Sequence, residues 1–455
     1  MKLITFTPTL ESSAIARMAA LVTKSLLAAG HEITIVSSED LQFAGHPRRD
    51  FGCDILPWHD GDRVRASALE TDGLIYHIGD NYGFHRGCLE WIEELGGAVC
   101  LHDYFVGYLF CGWAQTRREQ ARQVLQNLYG ADVANSYFNH ACQSDFIERT
   151  RTIAPLTEWI GSLADGVITH SSWDIQRLLS SCPGPVRTVA LPYDAGIQPK
   201  QLGRQAKRDE PFRLLTVGHA NRNKRISSVI RAIGGCELLQ SRIQYTHIGH
   251  AEASMISELS AVAGDTGVDF RMLGEASQDV LNGFIERSNA ISCLRWPALE
   301  AASASAIEGM LCGKPILVTD TGFYSEIPDE FVIKINPHCE VESIQQSLQK
   351  LLLQTRYGET LGLKAKTWAS RMFYADKYAE RLVEHIEEAK RSSVTVQGLL
   401  SFKKILEGWG GRTHTLANPR TAKTLNIFDP TKIKTPTLRR QSDGQHGFHA
   451  EQVVL

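Results

Sequence analysis

No two of the ten cysteines are spaced as C-x-x-C, and outside one short D-x-D turn no His, Cys, Asp and Glu residues fall into a metal-ligand spacing. A disulfide framework and a zinc ribbon are thereby excluded. Most of the cysteines sit in apolar runs such as Ile291-Ser-Cys293-Leu294, where a thiol behaves as a small buried hydrophobe, the pattern of a reducing compartment. The longest uncharged apolar stretch, Tyr104 to Ala114, falls far short of the ~18 residues that would cross a bilayer. Met1-Lys-Leu-Ile-Thr-Phe6 runs straight into a strand-like segment without a signal peptide, so a cytoplasmic protein is expected. No G-x-G-x-x-G follows that segment, which weighs against a nicotinamide cofactor, and there is no Walker A lysine loop. With 48 basic against 51 acidic side chains, the net charge of −3 gives no global reason to bind nucleic acid.

What is present is a chain of 455 residues with 43% hydrophobic and 22% charged content, enough for two or three soluble domains. Short β-rich runs alternate with helical patterns in two series. The first has strand signals at 2–6, 32–36, 74–78, 98–101, 166–169 and 186–191, with an apolar helix over 14–29 closed by Gly30. The second has them at 212–217, 243–248, 268–272, 290–293, 315–318 and 332–335. Such alternation predicts an α/β protein with two doubly wound, Rossmann-like parallel sheets, each binding ligands at the carboxyl ends of its strands across a shared cleft. The boundaries read as a first domain over 1–192, a polar, basic linker over 193–211, a second domain over 212–365, a long amphipathic helix over 366–392 and a tail over 393–455. From Arg391 onward there are ten Lys and Arg against four Asp and Glu, so the preceding 390 residues carry 38 against 47. A basic extension of this kind reads either as an interaction tail or as a solvated end.

The richest segment is Leu294-Arg-Trp-Pro297-Ala-Leu-Glu300-Ala-Ala-Ser303-Ala304-Ser305-Ala-Ile-Glu308-Gly-Met-Leu-Cys-Gly313-Lys-Pro315. On one continuous helix, Glu300 and Glu308 would stand ~12 Å apart along the axis and ~80° apart around it, too far to grip one atom. With Glu300 in the loop and the helix starting near Ser303, they instead bracket a helix N-terminus. Its free N–H groups and positive dipole suit phosphate. Ser305-Ala-Ile-Glu308 also reads as a capping box, which needs no ligand. A second segment, Val217-Gly218-His219-Ala-Asn-Arg222-Asn-Lys224-Arg225, ends a strand in a glycine turn and a cationic loop. It fits either a phosphate grip or a solvated helix start. In the first domain, Leu101-His102-Asp103 ends a buried strand with a histidine on the ligand side of the sheet or in its interdomain surface. Tyr76-His77-Ile-Gly79-Asp80-Asn81, followed by His85, is a second strand-end loop. Asp60-Gly-Asp62 is a D-x-D in a turn-rich region and reads as a solvated turn rather than a metal site.

The run Pro297–Glu300–Glu308–Gly313-Lys314-Pro315 resembles the E-x7-E signature of the retaining glycosyltransferases of family 4, the glycosyl transferases group 1, which have the GT-B fold. The resemblance covers most of residues 1–385 and is strongest over 212–330. It implies that Glu300 contacts the transferred sugar, that Glu308 holds the ribose hydroxyls and that the backbone at Ser303, Ala304 and Ser305 meets the diphosphate. Lys224 matches a diphosphate-binding lysine. The family's arginine after the glycine is His219 here, with Arg222 as its substitute. His102 corresponds to a histidine beside the donor sugar's reacting carbon, and Asn81, His85 and Asp103 fall to the acceptor side. The sequence departs from the pattern at Ala302-Ser303, where the family often has Phe-Gly, and in the first strand–helix loop, Pro8 to Ala14, which lacks a Gly-Gly pair.

The resemblance therefore implies an enzyme that moves a hexose-type sugar from a nucleotide diphosphate sugar to a glycan or lipid-linked acceptor with retention of anomeric configuration. It implies no cofactor and no obligate metal, and surface-polysaccharide assembly as the setting. The basic tail adds an expected peripheral contact with anionic lipid. A nucleotide-sugar-binding protein without transferase activity, or another GT-B enzyme such as a sugar-nucleotide epimerase or a phosphorylase, are the alternatives.

Overall fold

The computed structural model describes residues 1–196 and 210–408; most of the 193–211 linker and of the basic tail lies outside them. Met1–Val396 forms one compact unit, and a second unit starts at Gln397. Among the described residues, thirteen strands build two sheets. The first contains β1 (Lys2–Thr7), β2 (Glu32–Ser37), β3 (Ile55–Pro57), β4 (Gly73–Ile78), β5 (Ala98–Leu101), β6 (Gly166–Thr169) and β7 (Val186–Thr188), in the order β3-β2-β1-β4-β5-β6-β7. The second contains β8 (Phe212–Val217), β9 (Ile243–Ile248), β10 (Asp269–Met272), β11 (Ala290–Cys293), β12 (Ile316–Thr319) and β13 (Ile333–Ile335), in the order β10-β9-β8-β11-β12-β13. Every pairing is parallel, in registers such as Thr5↔Ile35 and Ile291↔Ile316.

The strands that flank the centre of each sheet are the most apolar, because helices cover both faces. β5, β6, β11 and β12 are buried along their whole length. In both sheets the strand order reverses beside the first strand, between β1 and β4 and between β8 and β11, and a crevice opens outside the carboxyl ends at such a point. The helix Ala14–Ala28 crosses from β1 to β2. Ser13 caps it by accepting from the Ala16 amide, and Gly30 ends it at φ +83°, where the chain can turn without a Cβ penalty.

The one strand the sequence pattern did not announce is β3. It has three residues, forms an edge and ends in proline, so it carries neither an alternating nor a continuous apolar signal. The stretch 366–392 is divided between two helices, Thr355–Met372 and Ala375–Gly408, with Phe373 and Tyr374 between them. The second returns to the first sheet. Ser25 donates to Asp376 at 2.7 Å, Arg187 reaches Glu388 at 2.6 Å, and Tyr378, Leu382 and Ile386 are buried.

That contact depends on two glycines at strand starts. A Cβ on Gly73 would stand 2.4 Å from Cγ2 of Ile386, and one on Gly166 would stand 2.9 Å from the His385 ring and 3.2 Å from Ala389. Gly73→Ala is expected to cost about 1–3 kcal/mol by overpacking, since β-branched Ile386 cannot swing aside freely. The check is a thermal or urea melt, with Ile386→Ala in the Gly73→Ala background recovering part of the loss.

Candidate functional site

The carboxyl ends of the two sheets meet through main chain. Ala301 N donates to the His102 carbonyl at 2.9 Å, and Tyr104 N and Phe105 N both donate to the Leu299 carbonyl, at 2.8 and 3.0 Å. Asp103 and Glu300 thus face each other in a short antiparallel bridge. Glu300 lies in the loop after β11, and the following helix, Ala304–Leu311, takes Ser303 as its cap, with its hydroxyl accepting from Ala306 N at 3.4 Å. Ser305 therefore sits inside the first turn, its Oγ 3.3 Å from that of Ser303, and the Ser305–Glu308 capping box does not form.

Glu300 is closely held by polar and basic groups. Its Oε1 accepts from Arg295 Nε at 2.8 Å and from the Tyr324 hydroxyl at 2.7 Å. Lys224, 6% exposed, donates from Nζ to the Val217 carbonyl at 2.7 Å, and it passes Gly218 where a Cβ would come within 2.9 Å of the ammonium. Burial pushes Lys224 down to about 7; repulsion by Arg295 adds to this, and Glu300 opposes it. Lys224 and Arg295 are two buried basic groups beside the single carboxylate of Glu300, and an anionic ligand there would favour the protonated form of Lys224.

Glu308 is also buried. Its Oε1 meets Nη1 of Arg17, from the first domain's Ala14–Ala28 helix, at 2.9 Å. Burial raises the Glu308 carboxyl, against the attraction of Arg17. Arg222, by contrast, is exposed and pairs with Glu258 at 3.2 Å, and Arg225 grips Glu340 through Nε and Nη2 at 2.8–3.0 Å. His219 is half-buried and stacks on His250, with ring centroids 5.2 Å apart.

In the first domain three imidazoles cluster at strand ends, and a fourth, His85, is buried nearby in the following helix. His102 Nε2 lies 2.9 Å from His77 Nδ1, and its ring is 4.8 Å from that of His170. Burial, reinforced by mutual repulsion, pushes His102 well down and His77 to about 3. Burial likewise takes His85 to about 3 and His170 to about 4. At neutral pH His102 is therefore an uncharged imidazole, suited to orienting a hydroxyl rather than compensating charge. Asp103 Oδ2 accepts from the Asp80 amide at 2.7 Å; burial, helped by Glu300, pushes Asp103 up to about 7. Asn81 caps the Tyr82–Leu95 helix by accepting from Phe84 N at 3.2 Å, and His85 is buried in that helix's first turn, beside Gly79.

The structure thus brings His102, Asp103, Glu300, Lys224 and Ser303–Ser305 to the meeting of the sheets, holds Glu308 at its flank and leaves Arg222 on the surface. Asp60 caps the Gly61–Leu69 helix, and no group of three or more His, Cys, Asp or Glu among the described residues could hold a metal ion. The first loop is pinned instead of glycine-rich: Glu39 accepts from the Thr9 and Leu10 amides and from the Thr9 hydroxyl. Sequence reasoning missed Arg17, Arg295 and Tyr324. Arg17 left one trace, a lone charge in the apolar run Ala14-Ile-Ala-Arg17-Met-Ala-Ala, and Arg295 lies within the motif segment itself. Tyr324 left none.

Residues 198–368 match the family of glycosyl transferases group 1. No curated protein matches the chain. Among solved structures it is similar to a sucrose-phosphate synthase from Thermosynechococcus elongatus, with a TM-score of 0.59 and 14% identity over 84% of this chain and 98% of that one. It is also similar to HepE of Anabaena in complex with UDP, at 0.57 and 14% over 84% and 99%. WaaG, a glycosyltransferase involved in lipopolysaccharide biosynthesis, gives 0.55 and 11% over 84% and 99%. At these identities the likeness is one of fold, and the two-sheet arrangement is GT-B.

Lys224 gives a signed pH test. Its native value of about 7 lies below the ~10.4 of an unfolded lysine, so between these the unfolded chain binds the extra proton and stability rises with pH. Lys224→Met removes that contribution. Relative to wild type, the variant should therefore lose melting temperature progressively from pH 7 to pH 9, and a pH-independent difference would refute the depressed value.

Proposed function

We propose that the chain is a retaining glycosyltransferase that moves a hexose-type sugar from a nucleoside diphosphate sugar to an acceptor. The observation that carries this reading is the pair of buried basic side chains, Lys224 and Arg295, beside one carboxylate, near the loop that leads into the Ala304–Leu311 helix. That arrangement is shaped for a diphosphate whose charge grows as the glycosyl bond breaks, and fixed charges aimed there lower the barrier without reorganising. The match to glycosyl transferases group 1 and the likeness to HepE in complex with UDP support the same donor chemistry.

In this reading the Ser303–Ser305 backbone and Lys224 hold the diphosphate, and Glu308 takes the ribose hydroxyls. Glu300, fixed by Arg295 and Tyr324, and the neutral His102 orient the sugar. Asp103, bridged to Glu300, lies at the border of donor and acceptor and has the proton economy of a group poised near neutrality. The departing phosphate accepts the acceptor's proton, so no side chain acts as nucleophile. The protein's own cations meet the phosphate charge, and the reaction proceeds without a divalent metal, an expectation that activity in EDTA tests directly. The main-chain bridge between the domains limits water at the reacting carbon. A glycan or lipid-linked acceptor in surface-polysaccharide assembly, at the cytoplasmic face of a membrane, suits the likeness to WaaG and the basic composition of the tail. Among the described residues no helix is long and apolar enough to cross a membrane.

Melting the protein with UDP, GDP, ADP and their sugar conjugates tests the reading. A ligand at ~100 times its dissociation constant adds ~2.7 kcal/mol of stability, which shifts the melting temperature visibly. One nucleotide series should shift wild type, and Lys224→Ala should abolish the shift. Glu300→Gln should keep nucleotide binding and lower turnover about 100-fold, the scale of losing one preorganised electrostatic contact. Nucleotide binding without transfer to any acceptor would replace the enzyme by a binding protein, and no shift with any nucleotide would remove the donor site.

A further inference from the structure

Arg17 is the least expected charge in the molecule. Its side chain is 10% exposed, on a helix whose neighbouring buried residues, Ala16, Met18, Ala19 and Val22, are apolar. Glu308 is 6% exposed, on a helix whose other buried residues include Ile307, Met310 and Leu311. A buried ion pair of this kind adds little stability over apolar residues of similar volume, so folding alone does not account for it.

The geometry around Arg17 is specific. Nη1 meets Glu308 Oε1 at 2.9 Å, Nε meets Asp194 Oδ1 at 2.7 Å, and Nη2 donates to the Asp194 carbonyl at 3.3 Å. The guanidinium lies 4.5 Å from the ring centroid of Tyr193, whose hydroxyl is 3.5 Å from Nη1. One cation therefore ties together a helix of the first domain, the segment that leaves that domain and the donor-side helix of the second. The segment is itself seated: Tyr193 N donates to the Phe373 carbonyl at 3.0 Å, and the Gly196 carbonyl accepts from Asn282 Nδ2 at 3.0 Å. With Nε, Nη1 and Nη2 all engaged, Arg17 is placed to fix its partners rather than to take a ligand.

We propose that Arg17 is the positioning residue for Glu308, holding that carboxylate charged and aimed so that it accepts hydrogen bonds from a ribose, and coupling this grip to the segment between the domains. The inference rests on the proposed donor site and deepens it: the chain should tell a ribonucleotide from one that lacks the ribose hydroxyls, and Arg17 should be what makes it able to.

The test compares dissociation constants for UDP, GDP and ADP with those for their 2′,3′-dideoxy counterparts in wild type, Arg17→Met and Arg17→Lys, with melts to establish folding. Wild type should prefer the ribonucleotide about tenfold or more, the worth of hydrogen bonds to a charged group. Arg17→Met should bring the two constants to within about twofold. Arg17→Lys keeps the charge but cannot hold Glu308 and Asp194 together, so it should fall between the two. A purely structural role would weaken both ligands alike and leave the ratio unchanged. A retained ratio in folded Arg17→Met overturns the proposal. If that variant does not fold, a wild-type ratio in Arg17→Lys overturns it. Failure of wild type to bind any nucleotide instead overturns the donor site on which the proposal stands, and binding without ribose preference removes Glu308 and Arg17 from recognition while leaving Lys224 in place.

Discussion

Three main-chain hydrogen bonds, from Ala301 to His102 and from Tyr104 and Phe105 to Leu299, set the geometry of everything at the cleft. They depend on no particular side chain, only on a strand end in each sheet stopping at the right height. β5 ends at Leu101 and β11 at Cys293, and the loops that follow are extended enough to pair. The main chain places Asp103 opposite Glu300, and the side chains then have little freedom left. Glu300 turns to Arg295 and Tyr324, and Asp103 turns back to the Asp80 amide.

Once those backbones meet, electrostatics decides which groups can be charged. Around Glu300 the basic groups, Arg295 and Lys224, outnumber the carboxylate. Around Arg17 the carboxylates, Glu308 and Asp194, outnumber the cation. The histidines between β4, β5 and β6 carry no charge, because burial and crowding forbid it. The cleft is thus zoned into a positive seat, a neutral wall and a negative flank, and each zone is produced by desolvation acting on residues whose positions the sheets have fixed.

Much of this was legible beforehand. Continuous apolar runs such as Ala98–Leu101 and Ala290–Cys293 can be little other than buried parallel strands, and the spacing of Glu300 and Glu308 about a helix start was readable from the seryl positions. β3 was not, because a three-residue edge strand has no periodicity to detect. The partners of the site residues were not legible either. Tyr324 reaches Glu300 across 24 positions within the second domain, and Arg17 reaches Glu308 across 291, a pair that exists only once both domains are formed. Asn81 illustrates the converse. Its residue type suits a ligand and a helix cap equally, and only coordinates reveal the bond to Phe84 N.

The helix that begins at Ala375 has a consequence for biosynthesis. It lies over Gly73 and Gly166 of the first sheet, yet it leaves the ribosome only after the whole second domain. A nascent first domain consequently presents its starts of β4 and β6 bare while some two hundred further residues are made. Its last layer arrives as a late cap, an order that makes the amino-terminal half a natural client for chaperones during synthesis.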